Sequence, residues 1–237
     1  IIIDSNSTLS DFEFRKDLGR GRLGIVYLAR IKDSNREVAV KVVLSKAVAD
    51  AVSQAAVASR LEAIRSLHHP NLVEVIDYGS ASSAFYVVSE FCGGGNLRQL
   101  VARRSGKLGL QEAVPIMMQA LQGLAFVHEK GLFHGDLKPE NILLSGPEGM
   151  WVVRLSDVGL LYSLQEAGLG GTIATGGADD LHFSPRDILT GSGSAGPSSD
   201  VWSMAVIFYH MLTGRFPHDP KCDEDVLASL IEPTIVP

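Results

Sequence analysis

The chain has 237 residues, 46% of them hydrophobic, with a net charge of -6. That length carries enough apolar mass for one large domain or two small lobes. The acidic balance speaks against nucleic acid as the partner. Two cysteines, Cys92 and Cys222, give no disulfide framework and fit a reducing, cytoplasmic setting. Zinc-ligand spacing is absent from the sequence, and no apolar run reaches membrane-spanning length. Ile1-Ile2-Ile3 is too short for a signal peptide, and the chain opens without Met, so it reads as a piece of something longer.

In chain order, residues 1–11 read as an extension. Phe12 to Val43 is strand-like, with β-branched runs at Ile25–Ala29 and Val38–Val43 and a turn at Lys32-Asp33-Ser34-Asn35. Residues 46–68 predict a helix with Val57, Leu61, Ile64 and Leu67 on a shared face, ended by His69-Pro70-Asn71. Two strands follow, Leu72–Tyr78 and Phe85–Phe91, and then Gly93-Gly94-Gly95, read as a flexible joint. Helical spacing runs over Asn96–Arg104 and Glu112–Glu129, with short strands at Ile142–Leu144 and Val152–Leu155. Residues 162–181 and 191–199 read as loops, Val201–Leu212 as an apolar helix, and Asp225–Ile231 as a last short helix. A strand-rich half followed by a helix-rich half predicts two lobes with a cleft.

Gly19-Arg20-Gly21-Arg22-Leu23-Gly24-Ile25-Val26 fits G-x-G-x-x-G-x-V, a pattern that alone is an ordinary glycine turn. A dinucleotide fingerprint needs a helix after the glycines and an acid about 20 positions on. Here a strand pattern follows, and the residue twenty after Gly21 is Lys41. The glycines are therefore expected at a hairpin tip whose N–H groups approach phosphate oxygens. Lys41 lies inside an apolar strand, where an ammonium is costly unless paired or partly solvated. It reads either as an edge-strand Lys reaching water or as a grip on α- and β-phosphates, and Val-Ala-Val-Lys after a glycine loop favours the grip.

The most specific stretch is His134-Gly135-Asp136-Leu137-Lys138-Pro139-Glu140-Asn141, with Asp157-Val158-Gly159 after it. Asp136 is the candidate acid/base for an attacking hydroxyl, and Lys138 the group that neutralises charge on the transferring phosphoryl. Asn141 and Asp157 are the candidate magnesium ligands, one neutral oxygen and one charged. Each alone reads as a loop-capping polar residue; together at these spacings they point to phosphoryl transfer. His134 reads as a packed core imidazole.

On these residues the chain resembles the eukaryotic-type protein kinase superfamily, from about Phe12 to the C-terminus. The glycine loop, Val38-Ala39-Val40-Lys41, His69-Pro70-Asn71, the Asp136 loop, Asp157-Val158-Gly159 and Ser198-Ser199-Asp200-Val201-Trp202-Ser203 carry the resemblance. It implies an α+β, bilobal fold: a small antiparallel β-sheet N-lobe with one regulatory helix (about 12–92) and a mainly helical C-lobe (about 93–237), with the family's last helices missing. It implies ATP with Mg²⁺ (or Mn²⁺) between the lobes and transfer of the γ-phosphate to a protein hydroxyl, on a protein substrate or on the chain itself. Lys138 points to the Ser/Thr branch. Carried over by position, Gly19, Gly21 and Gly24 cover the phosphates, and backbone groups of Glu90 and Cys92 meet adenine. Val26, Ala39 and Leu143 sandwich the base, Ser89 is the residue behind it, and Asn96 stands where a ribose-contacting acid is frequent. Asp200 accepts N–H groups of the catalytic loop.

The sequence departs from the family at several points. The helix acid that pairs with the strand Lys is expected at position 60, which is Arg60. Glu62 lies about 200° away round the helix, and Asp157 is an alternative partner for Lys41. Gly135 replaces an Arg, which predicts that loop phosphorylation is not the switch. Val158 replaces an aromatic; Ser184-Pro185-Arg186 replaces Ala-Pro-Glu; His182 and Asp179 replace a Tyr and a Thr. Three readings follow: an active Ser/Thr kinase, a nucleotide-binding scaffold that signals by shape, and a small-molecule kinase of related fold. The preserved Lys41, Asp136, Lys138, Asn141 and Asp157 favour the first.

Overall fold

The computed structural model describes residues 9–21, 23–44, 51–81, 84–165 and 181–217. The expected extension before Leu9, the start of the 46–68 helix, most of the 162–181 loop with Asp179, Cys222 and the Asp225–Ile231 helix lie outside them. The chain divides into two compact units, one of Ile1–His68, Val73–Phe91 and Leu160–Thr175, the other of His69–Leu72, Cys92–Gly159 and Gly176–Pro237.

The first unit is built on a five-stranded antiparallel sheet in the order β1-β2-β3-β5-β4. The strands are β1 (Phe12–Gly21), β2 (Gly24–Ile31), β3 (Glu37–Leu44), β4 (Val75–Ala81) and β5 (Ala84–Glu90). Side chains alternate between the faces of a strand, and residues directly opposite on neighbouring strands share a face. Val38, Val40, Ala29 and Val88 therefore pack together on one face, all completely buried, with Phe12 and Tyr86. The other face carries Val26, Lys41 and Val87 in one cross-strand row and Leu28, Ala39 and Ser89 in the next.

Two helices belong to this unit. Helix α1 (Ala51–Arg65) follows the amphipathic pattern and buries Val57 and Leu61, each 1% exposed. The expected strand at Leu72–Tyr78 begins only at Val75, because Leu72 instead bridges to Leu155 while Asn71 O accepts from Leu155 N at 2.9 Å. A second difference is larger. Residues Leu160–Leu164, of which 162–164 were expected in a loop, form a short helix, α4. Its sequence, Leu-Leu-Tyr-Ser-Leu, is too short to show a period, but Leu160, Leu161 and Leu164 bury against Val57 and Leu61 of α1. Tertiary burial sets this segment's structure.

In the second unit, β6 (Gly95–Asn96), β7 (Ile142–Ser145) and β8 (Val152–Leu155) form an antiparallel sheet. Around it lie α2 (Leu97–Arg103), α3 (Leu110–Glu129), α5 (Arg186–Leu189) and α6 (Pro197–Thr213). Within the Gly93–Gly95 run, read as a flexible joint, Gly94 and Gly95 are held against β7. Gly94 N donates to Leu144 O at 2.9 Å, and Gly95 pairs with Leu144 in the sheet. A Cβ on Gly94 would lie 2.7 Å from that carbonyl oxygen, so the glycine serves a close backbone approach. Helix α6 starts earlier than Val201, at Pro197, because proline suits the first helical position and Ser199 Oγ accepts from Gly196 N at 2.9 Å. The same helix ends at Gly214, in the left-handed conformation at φ 74°.

Gly24 is a packing glycine in the first unit, since a Cβ there would overlap the Val42 carbonyl oxygen. Gly24→Ala is expected to cost about 2–4 kcal/mol, read as a lowered denaturation midpoint at unchanged m-value. An unchanged midpoint would refute this account of the β2–β3 contact.

Candidate active site

The second unit holds the loop from His134 to Asn141, and its shape starts from one buried carboxylate. Asp200, 1% exposed near the start of α6, accepts from His134 N at 2.7 Å through Oδ2 and from Gly135 N at 2.9 Å through Oδ1. Oδ2 also lies 2.9 Å from His128 Nε2 at the end of α3. A carboxylate only accepts, so His128 Nε2 is the donor. His128 was not among the sequence candidates; a histidine in the last turn of a mostly apolar helix, close before the loop, was the available signal. Gly135 sits at φ 76°, a conformation that suits glycine and disfavours residues with a side chain.

Beyond Gly135 the loop turns back on itself. Asp136 N donates to His134 Nδ1 at 3.3 Å, and the His134 ring is fully buried. Asn141 Nδ2 donates to the Asp136 backbone O at 2.7 Å and reaches its Oδ2 at 3.4 Å. Asn141 N donates to Lys138 O at 2.9 Å, closing a single helical turn over Pro139–Asn141. Lys138 is 9% exposed and Asn141 6% exposed, whereas Asp136 is only partly buried. Ser156 N donates to Asn141 O at 2.9 Å, and Gly159 N donates to His134 O at 3.0 Å. These two bonds tie the segment around Asp157 to the same loop. Asp157 itself has φ 60°, unusual for a residue with a side chain. Val158 is buried beside it.

The sheet flank of this unit holds other candidates. Leu143 pairs with Asn96 across β6 and β7 and is partly buried. The Asn96 side chain caps α2, accepting from Gln99 N at 3.0 Å, while Gln99 Oε1 accepts from Asn96 N at 3.2 Å. Cys92 is buried. Gln119 was missed by the sequence reading, and Asn71 was read only as part of the His69-Pro70-Asn71 turn. Gln119 Oε1 accepts from Val153 N at 3.1 Å, and Asn71 Nδ2 donates to Val153 O at 2.8 Å, so both fix β8, which leads to Asp157.

The first unit carries Gly19, Gly21, Gly24, Val26, Ala39, Lys41 and Glu90. Val26, Ala39 and Lys41 share one sheet face, each partly buried. Glu90 N donates to Glu74 O at 3.0 Å, while Glu90 Oε1 accepts from Glu74 N at 2.9 Å. The three glycines differ in kind. Gly24 is required by packing, and Gly19 sits at φ 156° with its N–H donated to Asp17 Oδ1 at 2.9 Å. A Cβ on Gly21 meets nothing within 4 Å. Among the described residues, no contact demands glycine at that position.

Position 60 also has a definite environment. Arg60 is exposed, and its Cζ lies 5.4 Å from the centre of the Tyr162 ring, within cation–π range. Glu62 faces elsewhere: it accepts from the Tyr78 hydroxyl at 3.1 Å and lies 3.7 Å from Arg65 Nη1. Burial and this bond push the Tyr78 hydroxyl pKa above its usual value.

The sequence profile of the protein kinase domain matches residues 12–234. The chain belongs to that family. Its fold is the family's α+β class, with an antiparallel sheet and helices. It is 31% identical over 213 residues to CBL-interacting protein kinase 21 of Oryza sativa subsp. japonica, covering 90% of this chain and 40% of that protein. It is 30% identical over 213 residues to CBL-interacting serine/threonine-protein kinase 13 of Arabidopsis thaliana, covering 90% and 41%. With serine/threonine-protein kinase ULK1 of Homo sapiens it shares 31% identity over 230 residues, covering 92% and 21%. The chain thus spans less than half the length of each of these relatives.

Because Asp200 is fully desolvated, its partners lose their acceptor on truncation. Asp200→Ala in this kinase domain is expected to cost about 2–4 kcal/mol, measured by denaturant unfolding. A loss below about 0.5 kcal/mol, the range of ordinary surface substitutions, would show that Asp200 does not anchor the loop.

Proposed function

We propose that this domain is an ATP-dependent serine/threonine protein kinase that transfers the γ-phosphate to a hydroxyl of a protein substrate or of itself. The observation that carries the reading is the single loop on which Asp136, Lys138 and Asn141 are fixed by the Asp200 carboxylate and by Asn141's bonds to Asp136. Identity of about 30% to Ser/Thr kinases supports the branch.

The donor set fits a divalent cation and a nucleotide. Asn141 spends its Nδ2 on Asp136, which leaves the amide oxygen as its acceptor atom for a metal. Asp157 supplies an anionic oxygen of the type Mg²⁺ prefers. Gly21, unconstrained by its own surroundings, fits a place where backbone must lie close to phosphate oxygens. In this reading Gly19, Gly21 and Gly24 cover the phosphates, and Lys41 contacts them. Val26, Ala39 and Leu143 take the base, with backbone groups of Glu90 and Cys92 at its edge and Asn96 near the ribose. Asn141 and Asp157 would hold Mg²⁺ or Mn²⁺, which would supply charge neutralisation at the phosphate oxygens. The Asp136 carboxylate orients the attacking hydroxyl and takes its proton, and Lys138 offsets charge on the transferring group. His134 and Asp200 hold the loop.

The extent of the domain, 12–237, with lobes of about 12–92 and 93–237, and an intracellular location belong to the same proposal. The match over residues 12–234 supports the extent. The low cysteine content supports the location.

The test is radiolabel transfer from ATP with Mg²⁺ to a generic basic protein and to the chain itself. Asp136→Asn is expected to lower the rate by at least about 10²-fold while keeping the ATP-induced rise in melting temperature. Folded protein that transfers no phosphate, with Asp136→Asn indistinguishable, sinks the kinase reading. A thermal shift without transfer then assigns a nucleotide-binding scaffold.

A further inference from the structure

From Asp136 to Ile142 the loop is buried at every residue except Asp136 and Glu140. The loop therefore presents a pair of carboxylates at its surface. Asn141 is bonded to Asp136, and the single turn Pro139–Asn141 fixes Glu140 one residue before it. That chain of bonds sets Glu140 within about 10 Å of Asp136. An extended peptide rises about 3.3 Å per residue, so a side chain two or three residues from a hydroxyl at Asp136 reaches Glu140. Glu140 is ion-paired with Arg98 of α2, and the two side chains stay 32% and 40% exposed. Among the described residues no other cation pairs with Glu140, and its Oε2 has no hydrogen-bond partner.

We propose that Arg98 is a specificity-determining residue for the peptide substrate: by pairing Glu140, it removes the selection for basic residues that a bare carboxylate would impose beside Asp136. This rests on the kinase reading of the Asp136 loop. An unpaired, partly exposed carboxylate attracts a Lys or Arg of an incoming peptide and repels an acid. With the guanidinium against it the pair is neutral as a whole, and a peptide cation has to displace Arg98 to reach the oxygens. The substrate class is then Ser- or Thr-containing peptides taken without regard to charge two or three residues from the hydroxyl. Arg104, just past the end of α2, is paired for a different purpose. It meets Glu112 at 3.1 and 3.2 Å and Glu148 at 2.9 Å, which ties α2 to α3 and to the β7–β8 turn.

The test uses the 237-residue chain and Ser peptides alike except for Lys, Gln or Glu two or three residues from the Ser. For the wild type, kcat/KM is expected to agree within about twofold across the peptides, as for a neutral pair. Arg98→Ala should raise the Lys-to-Gln ratio about fivefold and lower the Glu-to-Gln ratio by as much. The change should appear in KM for peptide, with kcat and KM for ATP unmoved. Glu140→Gln should bias the ratios in the opposite sense, and the double variant should return to the wild-type pattern. Arg98→Lys keeps that pattern, and so does Arg104→Ala, which removes a paired arginine elsewhere. An unchanged ratio in folded Arg98→Ala, a change shared by all the peptides, or a bias that survives in the double variant overturns the proposal. Peptide Kd by fluorescence anisotropy reads the same ratios without catalysis. The expected pattern in binding with no phosphoryl transfer supports the role of Arg98 and refutes the kinase reading instead. Binding without that pattern, or no binding of any peptide, overturns the proposal.

Discussion

The Asp200 carboxylate lies under the loop that presents Asp136, and the loop's geometry depends on it. Moving an ion of this kind out of water costs on the order of several kcal/mol. Here that cost is offset by donors on both oxygens: two backbone N–H groups and the His128 ring. The donors come from the loop and from α3, and the acceptor comes from α6, so the loop cannot shift without stranding a buried charge. This rigidity is what permits Asp136 to remain only partly buried while its neighbours are packed. A reacting carboxylate needs access, and its support needs burial.

The two units solve different problems. The second fixes polar groups through satisfied hydrogen bonds. The first offers a sheet face whose alternation, imposed by the pleat, puts Val26, Ala39 and Lys41 together and sends Val38 and Val40 to the opposite core. On that same face the apolar row of Val43, Phe85 and Val87 requires cover, and α1 with α4 supplies it.

Much of this was legible in the sequence. Strands β2 and β3 show in the β-branched runs, and α3 in its apolar spacing. The roles suggested for Asp136, Lys138 and Asn141 came from one short, specific run whose residues are neighbours in the chain and stay bonded to one another in the fold, and that of Asp157 from a second short motif. The places where the reading failed share a cause. Gly94 and Gly95 look flexible by composition, but the nearby backbone of Leu144 leaves no room for a Cβ at Gly94. The leucines of α4 are too few to show a period, and their partners Val57, Leu61 and Phe85 are remote in sequence. His128 and Gln119 are invisible for the same reason, as is the bond Asn71 makes: each acquires meaning only from an acceptor or donor far along the chain.

Magnitudes decide how position 60 should be understood. Each buried leucine of α4 contributes roughly 1.5–3 kcal/mol by leaving water, and three of them are at most 5% exposed. The stack of Arg60 on Tyr162, at an exposed position, contributes about 0.5–1 kcal/mol. The leucines therefore bind α4 to α1, and the arginine adds only a small increment to that burial.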